Sequence, residues 1–185
     1  MQCEKERTAV LAANPWLEPW RENWVKSTGF SAGGAVGWAR QGRITVCPSV
    51  CTMPGRGYSW PGSVSDRTVR GVYLHEVGHV VHWALPDMRA ALEGLRALGG
   101  PRVTGYEPNA YETFAETFRL YAGNPALLLE GRPWRYEFMQ ALGIKPMARM
   151  PKAWDRGLLG TAPQRYYDQC ERWIQRGKQR QEKLL

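Results

Sequence analysis

Long apolar runs are missing from this 185-residue chain. A helix crossing a bilayer takes about 20 consecutive apolar residues, so a helical membrane-spanning role is excluded. Internal repeats and low-complexity tracts are missing too, which excludes solenoids and compositionally biased tails. Charged residues at 23% and hydrophobic residues at 43% match an ordinary globular protein and exclude a mostly disordered one. Four cysteines are too few for a disulfide scaffold at this length. Cys47 and Cys51 can meet across a loop, and Cys3 and Cys170 lie near opposite termini, so two disulfides can form, although a reducing cytosol favours four thiols. No further histidine or cysteine pair completes a zinc site on Cys47 and Cys51. Acidic residues are also in deficit, 17 against 25 basic ones, giving a net charge of +8.

That charge favours approach to acidic partners such as nucleic acid, anionic lipid or acidic wall polymers. The basic residues are scattered, however, and the densest run, Arg172 to Lys183, reads as the solvated face of a helix. No recognised nucleic-acid motif accompanies it, so nucleic acid is not the expected partner. The N-terminus is charged from its fourth residue, and the apolar patch behind it is too short for a signal peptide. The chain is therefore expected to be cytoplasmic at synthesis. A role outside the cell would take a specialised exporter, lysis or packaging into a particle.

One domain over residues 1–185 is expected, α+β and mostly helical with a small antiparallel β-sheet. Residues 4–13 read as a helix stopped by Asn14-Pro15, and with Trp16, Trp20 and Trp24 they make an N-terminal arm, residues 1–24. Most of the nine tryptophans are expected in core and collar packing. Ala35 to Arg40 and Arg43 to Cys47 form a hairpin through Gln41-Gly42. Residues 48–64 are a Pro/Gly/Ser-rich loop carrying Tyr58, Trp60 and Pro61. A helix capped by Ser65 or Asp66 runs to Leu85 and is apolar around much of its circumference, hence central. Pro86 opens the next helix, which ends at Gly99-Gly100. Another spans about 108–122, and a basic helix closes the chain over 163–185.

What the central helix carries is the strongest signal. All three histidines lie in His75-Glu-Val-Gly-His79-Val-Val-His82, which opens with H-E-x-x-H. Residues four apart share a helix face, about 6 Å apart along the axis, so His75 and His79 can bind one zinc ion while Glu76 serves a water as general base. H-E-x-x-H also occurs in proteins without metal, so a third ligand must be found. His82, about 10.5 Å along the axis from His75, is too far to share the ion and is expected to be a packed or supporting residue. Gly78 costs helix stability and would admit close approach by the hairpin, if it is not a neutral choice.

Downstream, Glu112-Thr-Phe-Ala-Glu116-Thr-Phe-Arg-Leu-Tyr121 again sets two glutamates four apart. Phe114, Phe118 and Tyr121 mark an apolar side that would press this helix against the histidine helix. Together the two stretches resemble the zincin metallopeptidases whose third ligand is a glutamate, within them the anthrax lethal factor-like peptidases, which include the Pro-Pro endopeptidases. The resemblance covers about 50 residues of the 185. It implies a zincin-like domain holding one zinc ion through His75, His79 and Glu112, with Glu116 orienting a ligand histidine. It also implies a tyrosine ahead of the ligand glutamate that donates to the oxyanion. The family tyrosine stands seven residues ahead, whereas Tyr106 stands six ahead of Glu112, a difference that a loop shorter by one residue absorbs. Tyr111 is the competitor, but as the neighbour of Glu112 it should point about 100° away.

The activity implied is that of a zinc endopeptidase. Zinc lowers the pKa of its water towards about 7, Glu76 takes the proton and returns it to the leaving amine, and Tyr106 stabilises the oxyanion. An extended peptide or protein substrate would add beside the hairpin as a strand. The alternative is a structural or assembly component, for example of a phage or toxin particle, that keeps zinc for stability. Glu76 argues against it, because that residue matters to hydrolysis and little to metal retention.

Overall fold

A computed structural model describes residues 2–18, 26–27, 37–40, 43–46, 69–100, 102–104, 106–146, 172, 175–176, 178–180 and 182–183. Its elements are helix α1 (Gln2–Ala13), strands β1 (Lys26–Ser27), β2 (Gly37–Arg40) and β3 (Arg43–Val46), and helices α2 (Val69–Ala84), α3 (Met88–Leu98), α4 (Ala110–Gly123), α5 (Pro125–Gly131) and α6 (Pro133–Ala141). The class is thus α+β and mostly helical. The Gln41-Gly42 turn, the loop over 48–64, the capping of α2 at Ser65 or Asp66 and both cysteine pairings lie outside the described residues. Of the basic C-terminal helix, the described positions from 172 to 182 are helical and, apart from Arg180, exposed, as a solvated face requires.

Helix α2 is the centre of the molecule, packed by α4 on one side, by β2 and β3 on another, and also by α1 and α3. Val77, Val80 and Val81 are fully buried, as an all-round apolar helix demands. From α4, Phe114, Phe118 and Tyr121 are equally buried, so the aromatic side of that helix meets α2 as its spacing indicates. The α2–α4 approach is close enough to need Gly78. A Cβ there would stand 2.8 Å from Ala115 Cα and 3.1 Å from the Ala115 carbonyl oxygen. The neighbour of Gly78 is therefore α4 and not the hairpin. The hairpin makes its own close approach at Gly37, where a Cβ would meet Val72 Cγ1 at 2.5 Å and Glu76 Oε1 at 3.2 Å.

Strands β2 and β3 pair antiparallel, Trp38 opposite Thr45 and Ala39 opposite Ile44. To this hairpin β1 adds a two-residue parallel strand on β3, which leaves β2 at the edge of the described sheet. Periodicity does not reveal so short a strand, since pairing to β3 alone defines it.

Pro86 differs in role from the expected one. It lies in the turn after α2, and Asp87 caps α3 by accepting the Ala90 amide at 2.8 Å. A side-chain acceptor satisfies a free amide that proline at the first position would merely leave out. At the other end of the chain's order, Asn14 ties α1 to the segment after α6: its side chain donates to the Lys145 carbonyl at 2.9 Å and accepts the Lys145 amide at 2.7 Å.

Candidate metal centre

Helix geometry brings His75 and His79 to one face of α2, their ring centroids 4.9 Å apart and nearly perpendicular. The third group arrives from α4. Asn109 caps that helix, its side chain accepting the amides of Tyr111 and Glu112 at 3.0 and 3.1 Å, and so sets Glu112 in the first turn, where the helix dipole favours a carboxylate. Glu112 Oε2 then lies 3.0 Å from His75 Nε2 and 3.5 Å from His79 Nε2. One ligand atom from each of the three residues falls within 4.8 Å of the others. Tetrahedral zinc with bonds of about 2.0–2.2 Å sets its ligand atoms about 3.3–3.6 Å apart, and the two separations at Glu112 are 3.0 and 3.5 Å. Glu112 Oε2 is buried, and the atoms that face it are the two imidazole nitrogens. The three residues could therefore hold one metal ion.

His75 is oriented from behind. Its Nδ1 lies 2.7 Å from Glu116 Oε1, which fixes the ring so that Nε2 faces Glu112. Glu116 is itself 1% exposed and held by two partners: Arg119 donates from Nε and Nη2 at 3.2 Å each, and the Thr104 hydroxyl donates to Oε2. Arg119 stands in the same motif as Glu116 at helical i,i+3 spacing, a signal that the sequence does contain. Thr104 lies in a loop 12 residues before Glu116 and has no such signal.

The electrostatics are those of a cation site. Burial pushes the His75 imidazolium down, but the flanking Glu112 and Glu116 outweigh it and raise its pKa to about 9. Burial likewise raises both carboxylates, and the histidines at Glu112, with Arg119, His75 and Thr104 at Glu116, more than reverse it, to about 2 in each case. Glu112 and Glu116 flank the His75 imidazole, and in the metal-free protein its proton supplies positive charge between them.

Glu76, 6% exposed, lies against β2, its Oε1 3.2 Å from where a Cβ on Gly37 would stand. Burial raises its pKa, the two imidazoles oppose that, and the Ala39 amide of β2 donates to its carboxylate. Tyr106 stands beside the ligands, its ring centroid 5.8 Å from that of His75 and the residue half exposed. Burial, followed by the charges of Glu112, Glu76 and Glu116, raises its pKa, so the phenol stays protonated and able to donate. Tyr111 stacks edge-on against His82 at 5.6 Å instead. His82 is 3% exposed and packed: Nε2 donates to the Met88 carbonyl at 3.0 Å, and the ring lies against Phe114.

No protein-family model, no curated protein and no solved structure matches this chain.

Proposed function

We propose that the protein is a zinc-dependent endopeptidase of the zincin type, similar to the lethal factor-like peptidases. The convergence of His75, His79 and the buried Glu112 Oε2 carries this reading, and the nearness of Glu76 to the two imidazoles extends it from metal binding to hydrolysis. Zinc held by these three residues would acidify a water towards about pKa 7 and polarise a peptide carbonyl. Glu76 takes the proton of the attacking water. Its raised pKa narrows the gap between carboxylate and water and leaves it able to give the same proton to the leaving amine. The Tyr106 phenol, protonated beside His75, donates to the carbonyl oxygen as it gains negative charge.

An extended peptide would add along β2, the outer strand on that side among the described residues. Ala39 lies on that strand and donates to Glu76, so a chain pairing there would run past the general base. Exchanged N–H and C=O groups hold such a peptide straight and its scissile carbonyl in range.

The test compares wild type with Glu76→Gln on a peptide library, with bound zinc measured by elemental analysis. Zinc in both proteins and cleavage by wild type alone is the expected result. Zinc in wild type with no cleavage of any peptide overturns the enzyme in favour of a zinc-stabilised structural component. Wild type that holds no zinc overturns both.

A further inference from the structure

Behind the site runs a buried polar chain that coordination does not use. Glu107, with its side chain 1% exposed, accepts the amides of Val103 and Thr104 on Oε1, the latter at 2.9 Å. Its Oε2 accepts from Arg135 Nη1 on α6 at 3.3 Å. The same Arg135 nitrogen reaches Thr117 Oγ1 of α4 at 3.0 Å. One carboxylate thus fixes two successive amides of the strap 103–107 and is fixed in turn by an arginine that also grips α4. Thr104, fully buried, sits where the strap meets the site: its hydroxyl donates to Glu116 Oε2 and accepts the Tyr106 amide at 3.2 Å.

A buried ion pair gives little net stability, because the desolvation of both charges offsets their attraction. What Glu107 and Arg135 do provide is a single register for the strap. We propose that Glu107 and Arg135 are positioning residues for the metal centre, acting through Thr104 on the Glu116–His75 pair and through the strap backbone on Tyr106. This rests on the zinc reading above. With the strap released, the Thr104 hydroxyl leaves Glu116, His75 loses part of the bracing that aims Nε2, and the Tyr106 phenol loses its fixed station.

The experiment measures zinc affinity by chelator competition and the visible spectrum of the cobalt(II)-substituted protein, neither of which depends on cleavage. Glu107→Gln, Arg135→Met and Thr104→Val are each expected to lower zinc affinity about tenfold, the lower end of what outer ligand partners contribute, and to alter the cobalt bands. Thr104→Ser, which keeps the hydroxyl, should bind zinc as wild type does. Thr104→Val in the Glu107→Gln background should add little, because both changes cut one route. Where peptide cleavage is measured, kcat falls and KM holds, since the displaced groups act on the reacting centre. Folded variants with wild-type zinc affinity and cobalt spectrum overturn the proposal, as does an additive Glu107/Thr104 pair. Should Glu107→Gln fail to fold, Arg135→Met decides, read beside the Thr104→Val and Thr104→Ser pair. If wild type binds neither metal, the zinc reading has failed and the positioning proposal falls with it.

Discussion

Replacing Gly78 with alanine should weaken both the fold and the metal site, although alanine is the better helix former. Within a helix the exchange gains about 1 kcal/mol from propensity. Against this, the new methyl would lie 2.8 Å from Ala115 Cα, 3.1 Å from the Ala115 carbonyl oxygen and 3.2 Å from Phe118 Cβ. Carbon pairs settle at about 3.5–4.0 Å, so α4 must withdraw by about 0.7 Å or more. Overpacking of this kind costs about 1–3 kcal/mol, and the upper half applies because the obstacle is backbone. The net loss is about 1–2 kcal/mol, which lowers the melting temperature by about 2–8 °C for a domain of this size. Zinc ligation tolerates about 0.2 Å, and Glu112 lies one turn from Ala115 on the helix that withdraws. Zinc affinity should therefore fall at least about tenfold. Calorimetry and chelator competition on the same samples read both quantities. Ala115→Gly in the Gly78→Ala background should bring no rescue, since the contacts are with Cα and carbonyl rather than the Ala115 methyl. A rise in melting temperature with unchanged zinc affinity would refute the reasoning.

Two further outcomes concern pH. Because His75 holds its proton to about pH 9 in the metal-free protein, binding must expel it, and apparent zinc affinity should climb about tenfold per pH unit up to that point and then level off; a flat profile between pH 6.5 and 8.5 contradicts this. His82 titrates below its usual 6.5, chiefly through burial, which the Met88 carbonyl only partly opposes. Its folded pKa is depressed, so its contribution is present above 6.5 and is lost as pH falls through the folded value. Glu76, with a raised pKa, acts in the opposite direction over the adjoining range, so the comparison is with His82→Gln in denaturant titrations. Identical loss of stability in both proteins between pH 6.5 and 5 would exclude His82 as the source.

Much of the site is legible because its signals are local. His75 and His79 share a helix face by spacing alone, and Glu112 and Glu116 share another, with the i,i+3 partner Arg119 inside the same motif. The strand pair β2–β3 is legible through its β-prone residues, and the packing of Phe114 and Phe118 through helical period. Gly78 was legible as a place of close approach, yet its neighbour proved to be α4, because spacing along one helix carries no record of which element will face it. Pro86 and Asp87 competed for the start of α3, and the side-chain cap prevailed over the ring's preset φ. Thr104, Glu107 and Arg135 carry no periodic signature, since each partner lies in another element.

The sequence by itself determined which groups can act: two imidazoles on one stripe, a glutamate beside them, and two more carboxylates a helical turn apart. Only the tertiary structure decided that they meet. Burial of α2 against α4 brings Glu112 Oε2 to 3.0 Å from His75, and the strap held by Glu107 and Arg135 carries Tyr106 rather than Tyr111 to that face. Helical and strand periods are short-range properties of the backbone, whereas the meeting of α2, α4 and the strap depends on how their side chains interlock across the core.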